Sequence, residues 1–501
     1  MHDQAANACI PHSLLVLGRV VSARRCATEG QLQDLGSGLT IGDIPPVRSR
    51  WPPYEDHFRV SDDSVLRADR RLCEHLFSQL LMFSRDDPGV TRAAYGEGEQ
   101  KAHALMRETG LALGLSSQQD AAGNLFLTLA GLDPHLPAWM IGSHVDTVPH
   151  GGNFDGAAGV IGGLAAVAGL RRVGLTPRRS VVVAAFRAEE STWFPASYIG
   201  SRAAFGLLPP EVLDMPRSDD GVSLREHMTR CGLEPGRVER GESLLREASL
   251  HGFVEMHIEQ GPLLDRAEIP VGFVTGISGS FRYRSAACFG SYAHSGAVGR
   301  SDRADAVFAL ADLIGGLDAF WGMLDADGRQ ATITFGEVST DPAMHAFAKV
   351  PGEVRFCIDV RSVEADVLAA VEVELARLVT RIEAARGVRF CLGERTGSTP
   401  AVMSRLLNED LASHADRLGI RHRTMISGAG HDTAVLANRG VPSTMVFVRN
   451  QNGSHNPQED MRLEDLCDAA TVVAHLIAER DHDAAPRRER SRARIETTRA
   501  A

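Results

Sequence analysis

The residues best able to do chemistry stand in short motifs spread along the chain. "GSHVDTVPHGGNFDG", residues 142–156, places His144, Asp146 and Asp155 among glycines after an apolar run. Glu189 and Glu190 are adjacent in "FRAEES", and His257 and Glu259 share "EMHIEQGP". His431 and Asp432 lie in "GAGHDTAV", and His455 in "GSHNPQED". Imidazoles mixed with carboxylates suit a divalent metal of borderline hardness. A carboxylate bridging two such ions would make a two-metal hydrolytic site. Asp146, two residues from His144, would accept its second ring N–H and fix the tautomer. Taken singly, each residue has a plainer reading. Strand-end histidines are usually structural, paired glutamates usually face solvent, and glycines near an aspartate usually form a turn. The set is informative because separate segments supply complementary donors.

The elements that must position these groups are readable. "AWMIGSHV" reads as a buried strand ending at the first motif, and "GAAGVIGGLAAVAGLRRVG" as a helix of small residues. Glycine lowers helix propensity, so its repeated use implies close packing on a sheet. "RSVVVAAFRAEE" is the next strand. Strand, helix and strand at this spacing predict an α/β fold with a mostly parallel sheet covered by helices. Ligands bind beyond the carboxyl ends of such strands, where His144 and the Glu189–Glu190 pair fall.

Composition narrows the class. At 501 residues the chain exceeds one ordinary core, so two domains are expected. Hydrophobic and charged fractions of 44% and 23% are those of a globular protein. The net charge of −11, from 53 basic and 64 acidic residues, argues against a nucleic-acid partner. The eight cysteines form no CxxC pair and read as free thiols, so a reducing, cytoplasmic location is expected. No apolar run is expected to reach the ~18 residues that span a bilayer, so no membrane partner is expected. "SLLVLGRVV" is broken by Arg19 and lacks a basic lead, unlike a signal peptide. Residues 1–58 mix Pro, Gly and charge and predict a poorly ordered extension. Residues 481–501 are charge-rich and predict a disordered tail.

Taken together, the motifs resemble those of the hydantoinase/carbamoylase group of dinuclear metal amidohydrolases, within the M20 peptidase superfamily. The resemblance runs from about residue 65 to 480. It rests on the stretches above and on "AEESTWFPASYIGSRA", "HIEQGPLL", "AHSGA" followed by Arg303 and Asp305, and "VPGEVRFCIDVRS". The group includes N-carbamoyl-L-amino-acid hydrolases, allantoate amidohydrolases and β-ureidopropionases. The resemblance implies a catalytic metal domain over residues 59–271 and 384–480. It also implies an inserted α/β sandwich over 272–383, serving as lid and dimerisation domain.

The resemblance further implies two divalent ions per subunit, zinc or manganese, with cobalt or nickel as substitutes. His144 and His257 would bind one, Glu190 and His455 the other, and Asp155 both, with Asp146 behind His144. Glu189 would be the general base. His294, from the lid of the partner in a homodimer, would stabilise the oxyanion. Arg361 would grip a substrate carboxylate, with Gln260, Gly430 and His431 as further substrate contacts. The implied reaction is hydrolysis of a C–N bond in an N-carbamoyl amino acid or related ureido acid by water that the metals activate. Three positions depart from the group's pattern: Ser280 stands where Gln is common, Ala293 where the usual motif has Asn, and Ala348 where Asn is common. They remove donors aimed at the substrate and leave its identity open. A dipeptidase or N-acyl amino-acid hydrolase is the alternative, and a non-catalytic ligand-binding relative the third reading. The presence of Glu189 and all five ligand positions favours an enzyme.

Overall fold

The computed structural model describes residues 65–480. The expectations for residues 1–58 and 481–501 lie outside the described residues, as do Cys9 and Cys26. The six described cysteines are free thiols.

The strand–helix–strand reading holds at the centre of a nine-stranded sheet. Ala138–His144 lies between Val181–Phe186 and Leu250–Ile258, parallel to both, and Ser443–Val448 continues the parallel run beyond Leu250–Ile258. These strands are apolar almost throughout, as covered parallel strands must be. The flanks differ from a mostly parallel sheet. Leu125–Leu129 and Ser116–Gln119 add antiparallel pairs at one edge. Val271–Ile277 adds another beyond Ser443–Val448, with His422–Ser427 and Ala401–Val402 beside it. The sheet is therefore mixed, with a parallel centre.

The glycine-rich helix Ala157–Arg172 is buried from Ala157 to Leu170. A Cβ on Gly159 would fall 2.2 Å from the Met256 carbonyl and 2.5 Å from Ser143 Cβ. Only glycine lets the helix axis approach the sheet so closely, which explains a residue type that weakens an isolated helix. Helices Arg70–Ser84 and Leu463–Arg480 pack on the same side and complete the main core.

A second sheet, of six antiparallel strands, is built around Gly279–Phe289 and Glu353–Ser362. Helices Ala306–Ala326 and Ala365–Arg386 cover one face, against Phe281, Phe356, Ile358 and Val360. With side chains alternating along a strand, Ser280, Arg282, Asp359 and Arg361 project from the other face. The register sets Arg361 opposite Ser280 and Asp359 opposite Arg282. Arg389–Cys391 and Arg395–Ser398 pair with this sheet, while Val271–Ile277 belongs to the larger one. The strands of the smaller sheet thus lie between Gly279 and Ser398.

Helix Ala306–Ala326 corrects another expectation. Its 21 residues are long and apolar enough to cross a bilayer by length and composition. Asp312, Asp318 and Asp325 punctuate the run and hid it from a search for unbroken apolar sequence. One side of the helix, with Leu310, Leu313 and Leu317, packs against the six-stranded sheet.

Candidate active site

The carboxyl ends of three parallel strands meet at one cavity. His144 closes Ala138–His144, and His257 lies one residue before the end of Leu250–Ile258. Glu189 and Glu190 follow Val181–Phe186 across a sharp corner. Three consecutive amides hold that corner. Ala188 N–H donates to Glu99 Oε1 at 3.0 Å, and the Glu189 and Glu190 N–H groups donate to Asp146 Oδ1 and Oδ2 at 3.3 and 3.2 Å. Ala188 has φ +51°, and Tyr198, Gln260 and His455 around the same cavity also have positive φ. Such backbone is costly outside glycine and concentrates where side chains must be aimed.

The imidazoles are oriented from behind. His144 Nδ1 lies 3.2 Å from the Asp146 carbonyl and 3.3 Å from its Oδ1. His257 Nδ1 lies 2.9 Å from the Ile258 carbonyl. Both Nδ1 atoms therefore carry the proton, and both Nε2 lone pairs face the cavity. His257 Nε2 and His144 Nε2 stand 3.1 and 3.7 Å from Asp155 Oδ1. On the other side, His455 Nε2 is 3.4 Å from Asp155 Oδ2 and 3.2 Å from Glu190 Oε1. Asp155 thus belongs to two clusters at once, His144–Asp155–His257 and Asp155–Glu190–His455. Buried polar atoms normally have hydrogen-bond partners. Asp155 Oδ1 and His257 Nε2 are buried without one, facing each other. An acceptor and a lone pair so arranged fit a cation between them, and the donor set is that of a divalent ion.

The electrostatics agree. Burial works against charge on His144, yet Glu189, Asp146 and Asp155 hold its pKa well above the ordinary value. His455 is pushed up to about 11 by its bonds to Asp155 and Glu190. Burial also works against the Asp155 carboxylate, but His257, His455 and His144 hold its pKa well down. Without cations, the cluster draws protons onto its histidines; cations would take the place of those protons. Glu189 is raised well above a usual carboxylate, first by burial and then by Glu190, Asp432 and Asp146, against the pull of His144.

The cavity, of about 330 Å³, includes all five expected ligands, Glu189, Gln260, Gly430, His431 and Arg361 in its wall. Several of these are already engaged. Gln260 Nε2 donates to Asp155 Oδ2 at 2.8 Å. His431 Nε2 lies 3.0 Å from Ser427 Oγ, and its ring packs edge-on to His257 at 4.5 Å between centroids. Arg361 donates to Asp359 through Nε and Nη2, and through Nη1 to the Gly428 carbonyl at 3.1 Å. His294 is not brought to this cavity. It is exposed on the short strand Ala293–His294, and its Nδ1 accepts from the Gly296 and Ala297 amides, both at 3.1 Å. The ring proton therefore sits on Nε2.

Three features of the site escaped the sequence. Tyr198 packs so tightly on Gly430 that a Cβ there would lie 1.7 Å from the phenol oxygen. Arg282 stands beside Arg361 in the wall. Glu459 accepts from the Phe154 and Asp155 amides at 2.9 and 3.1 Å, and Ser454 Oγ lies 2.6 Å from it, bracing the bridging aspartate from behind. The "SHNPQED" motif contains both Ser454 and Glu459, but nothing in their spacing marks them as supports.

Comparison with known proteins gives the family. Residues 140–479 match the family described as Peptidase family M20/M25/M40. The chain belongs to that family. It is 34% identical over 419 residues to an N-carbamoyl-L-amino-acid amidohydrolase of Paenarthrobacter aurescens, covering 83% of this chain and 98% of that protein. A ureidoglycolate hydrolase of Arabidopsis thaliana is 30% identical over 425 residues, with 83% and 87% covered. Among solved structures, an amidase of the hydantoinase/carbamoylase family from Burkholderia multivorans is similar with a TM-score of 0.74 and 27% identity, covering 83% of this chain and 99% of that one. The resemblance to the hydantoinase/carbamoylase group, within this M20 family, is borne out by these matches.

Proposed function

We propose that the chain is a dinuclear metal amidohydrolase that cleaves a C–N bond of an N-carbamoyl amino acid or a related ureido acid. The observation that carries this is Asp155, whose two oxygens face two separate histidine and carboxylate clusters in one cavity. The names of the relatives, an N-carbamoyl-L-amino-acid amidohydrolase and a ureidoglycolate hydrolase, support a ureido substrate.

His144, Asp155 and His257 would hold one ion, and Asp155, Glu190 and His455 the other. Bound there, divalent ions supply Lewis acidity that polarises the scissile carbonyl and acidifies water. The residues supply the rest. Glu189, 3.9 Å from His144 Nε2, accepts the proton of the attacking water and passes it to the leaving nitrogen. Asp146 holds His144 and the Glu189 corner in one frame. Arg361, with Arg282 beside it in the wall, gives the cavity the guanidinium side that a substrate carboxylate would face. His294, with its proton on Nε2, is a hydrogen-bond donor suited to an oxyanion in the site of a partner subunit. A homodimer is supported by the exposed apolar side of Ala306–Ala326, with Val307, Phe308, Ile314 and Met323. Free thiols at all six described cysteines support a cytoplasmic location.

A substrate panel in Mn²⁺, Zn²⁺, Co²⁺ and Ni²⁺ tests the reading. N-carbamoyl amino acids should release ammonia, and dipeptides and N-acetyl amino acids should not be cleaved. Cleavage of dipeptides alone would favour the peptidase alternative. Tight binding without turnover in any metal would favour the non-catalytic one.

A further inference from the structure

The wall of the cavity holds two arginines in different states. Arg361 is already committed. Asp359 lies along its Nε–Nη2 edge, with a closest approach of 2.9 Å, and the Gly428 carbonyl takes Nη1. Arg282 is the cross-strand neighbour of Asp359, yet its only described ionic contact is Nε to Asp359 Oδ1 at 3.4 Å. Among the described residues the Arg282 guanidinium makes no hydrogen bond, and the side chain is 25% exposed. A guanidinium has five N–H donors in a rigid fork. In Arg282 that fork is open, and it stands in the wall of the same cavity as the metal-ligand clusters.

Charge points the same way. Arg282, Arg361 and Asp359 together carry one net positive charge, and Asp359 is spent mainly on Arg361. The surplus charge is that of Arg282. It stands in the same wall as Tyr198, whose phenol pKa burial and then Glu189 push up while Arg282 and, less, Arg361 pull it down. Ser280, on the same face one alternate position away, is too short to cover the guanidinium. One uncompensated cation with open donors matches a substrate bearing a single carboxylate.

We propose that Arg282 is a specificity-determining residue that binds the substrate carboxylate through its open fork, while Asp359 and Gly428 hold Arg361 beside it as a brace. This rests on the ureido-acid reading. Two ligands that differ only in charge isolate the effect: an N-carbamoyl amino acid, and the same molecule with its carboxylate converted to a carboxamide. Ammonia release should favour the acid in the wild-type chain. Arg282→Gln should lose about 10- to 100-fold of that preference, mainly through KM, as expected for one charge-assisted contact. Arg282→Lys, which restores the charge without the fork, should recover part of it. A merely structural role would lower activity on both ligands alike and leave their ratio unchanged. Calorimetric binding of the acid and the amide in the metal-loaded protein gives the same ratio without turnover. An acid-to-amide ratio that is flat in the wild type, or unaltered in Arg282→Gln, overturns the proposal. Absence of ammonia from both ligands counts against the ureido-acid reading instead, and the calorimetric ratio still judges Arg282.

Discussion

Glu189 sits where a proton must move, with His144 on one side and Glu190 next in the chain. Glu189→Gln should keep both metal clusters and substrate affinity but lower kcat by about 10²–10⁴-fold, the usual worth of a general base. Ammonia release read together with elemental analysis checks this, and normal turnover would move the base role to another group. Gly430 makes a second case. Its missing side chain gives room to the Tyr198 hydroxyl, so Gly430→Ala should displace that ring and raise KM. Adding Tyr198→Phe removes the clashing oxygen and should restore part of the loss. A double-mutant cycle with no coupling between the two would contradict the contact. At this scale the ligands were legible because His, Asp and Glu at strand ends announce their own chemistry. Tyr198 and Arg282 were not. An aromatic or an arginine in a strand has no such mark, and only the register that sets Arg282 opposite Asp359 reveals its surroundings.

Three strand ends frame the site, and Asp146 ties two of them together. It touches His144 after one strand and accepts the Glu189 and Glu190 amides after the next. Asp146→Ala should therefore lower metal affinity about 10- to 100-fold, as loss of a carboxylate behind a ligand histidine commonly does. Competition with a chelator measures it, and unchanged affinity would show that the strand ends hold their geometry without it. The parallel centre was legible from the periodicity around residues 138–190. The flanks were not: antiparallel Ser116–Gln119 is short and exposed, and His422–Ser427, which pairs parallel with Val271–Ile277, is short and partly exposed, so neither carries an apolar run. The smaller sheet ends at Ser398 because strands Arg389–Cys391 and Arg395–Ser398 return to pair with Gly279–Phe289, a long-range choice that local pattern does not fix.

Across the whole molecule, the position of His294 sets the strongest demand. It is exposed and outside the cavity of its own chain, so its proposed role requires a second copy. Glu189→Ala and His294→Ala proteins should each be nearly inactive. Unfolded and refolded together, half the dimers are hybrids with one complete site, so about a quarter of wild-type activity should return. Recovery near zero, with mixing confirmed by mass, would mean that His294 does not act across subunits. The sequence placed His294 in this role only through family resemblance, since no local pattern tells a chain which copy a loop will reach. The dinuclear centre itself is tested most directly by one titration. Chelated, metal-free protein is titrated with Mn²⁺ while ammonia release from an N-carbamoyl amino acid is followed. Activity should start near zero and rise to a plateau at about two ions per chain. Full ammonia release before any metal is added would contradict the account.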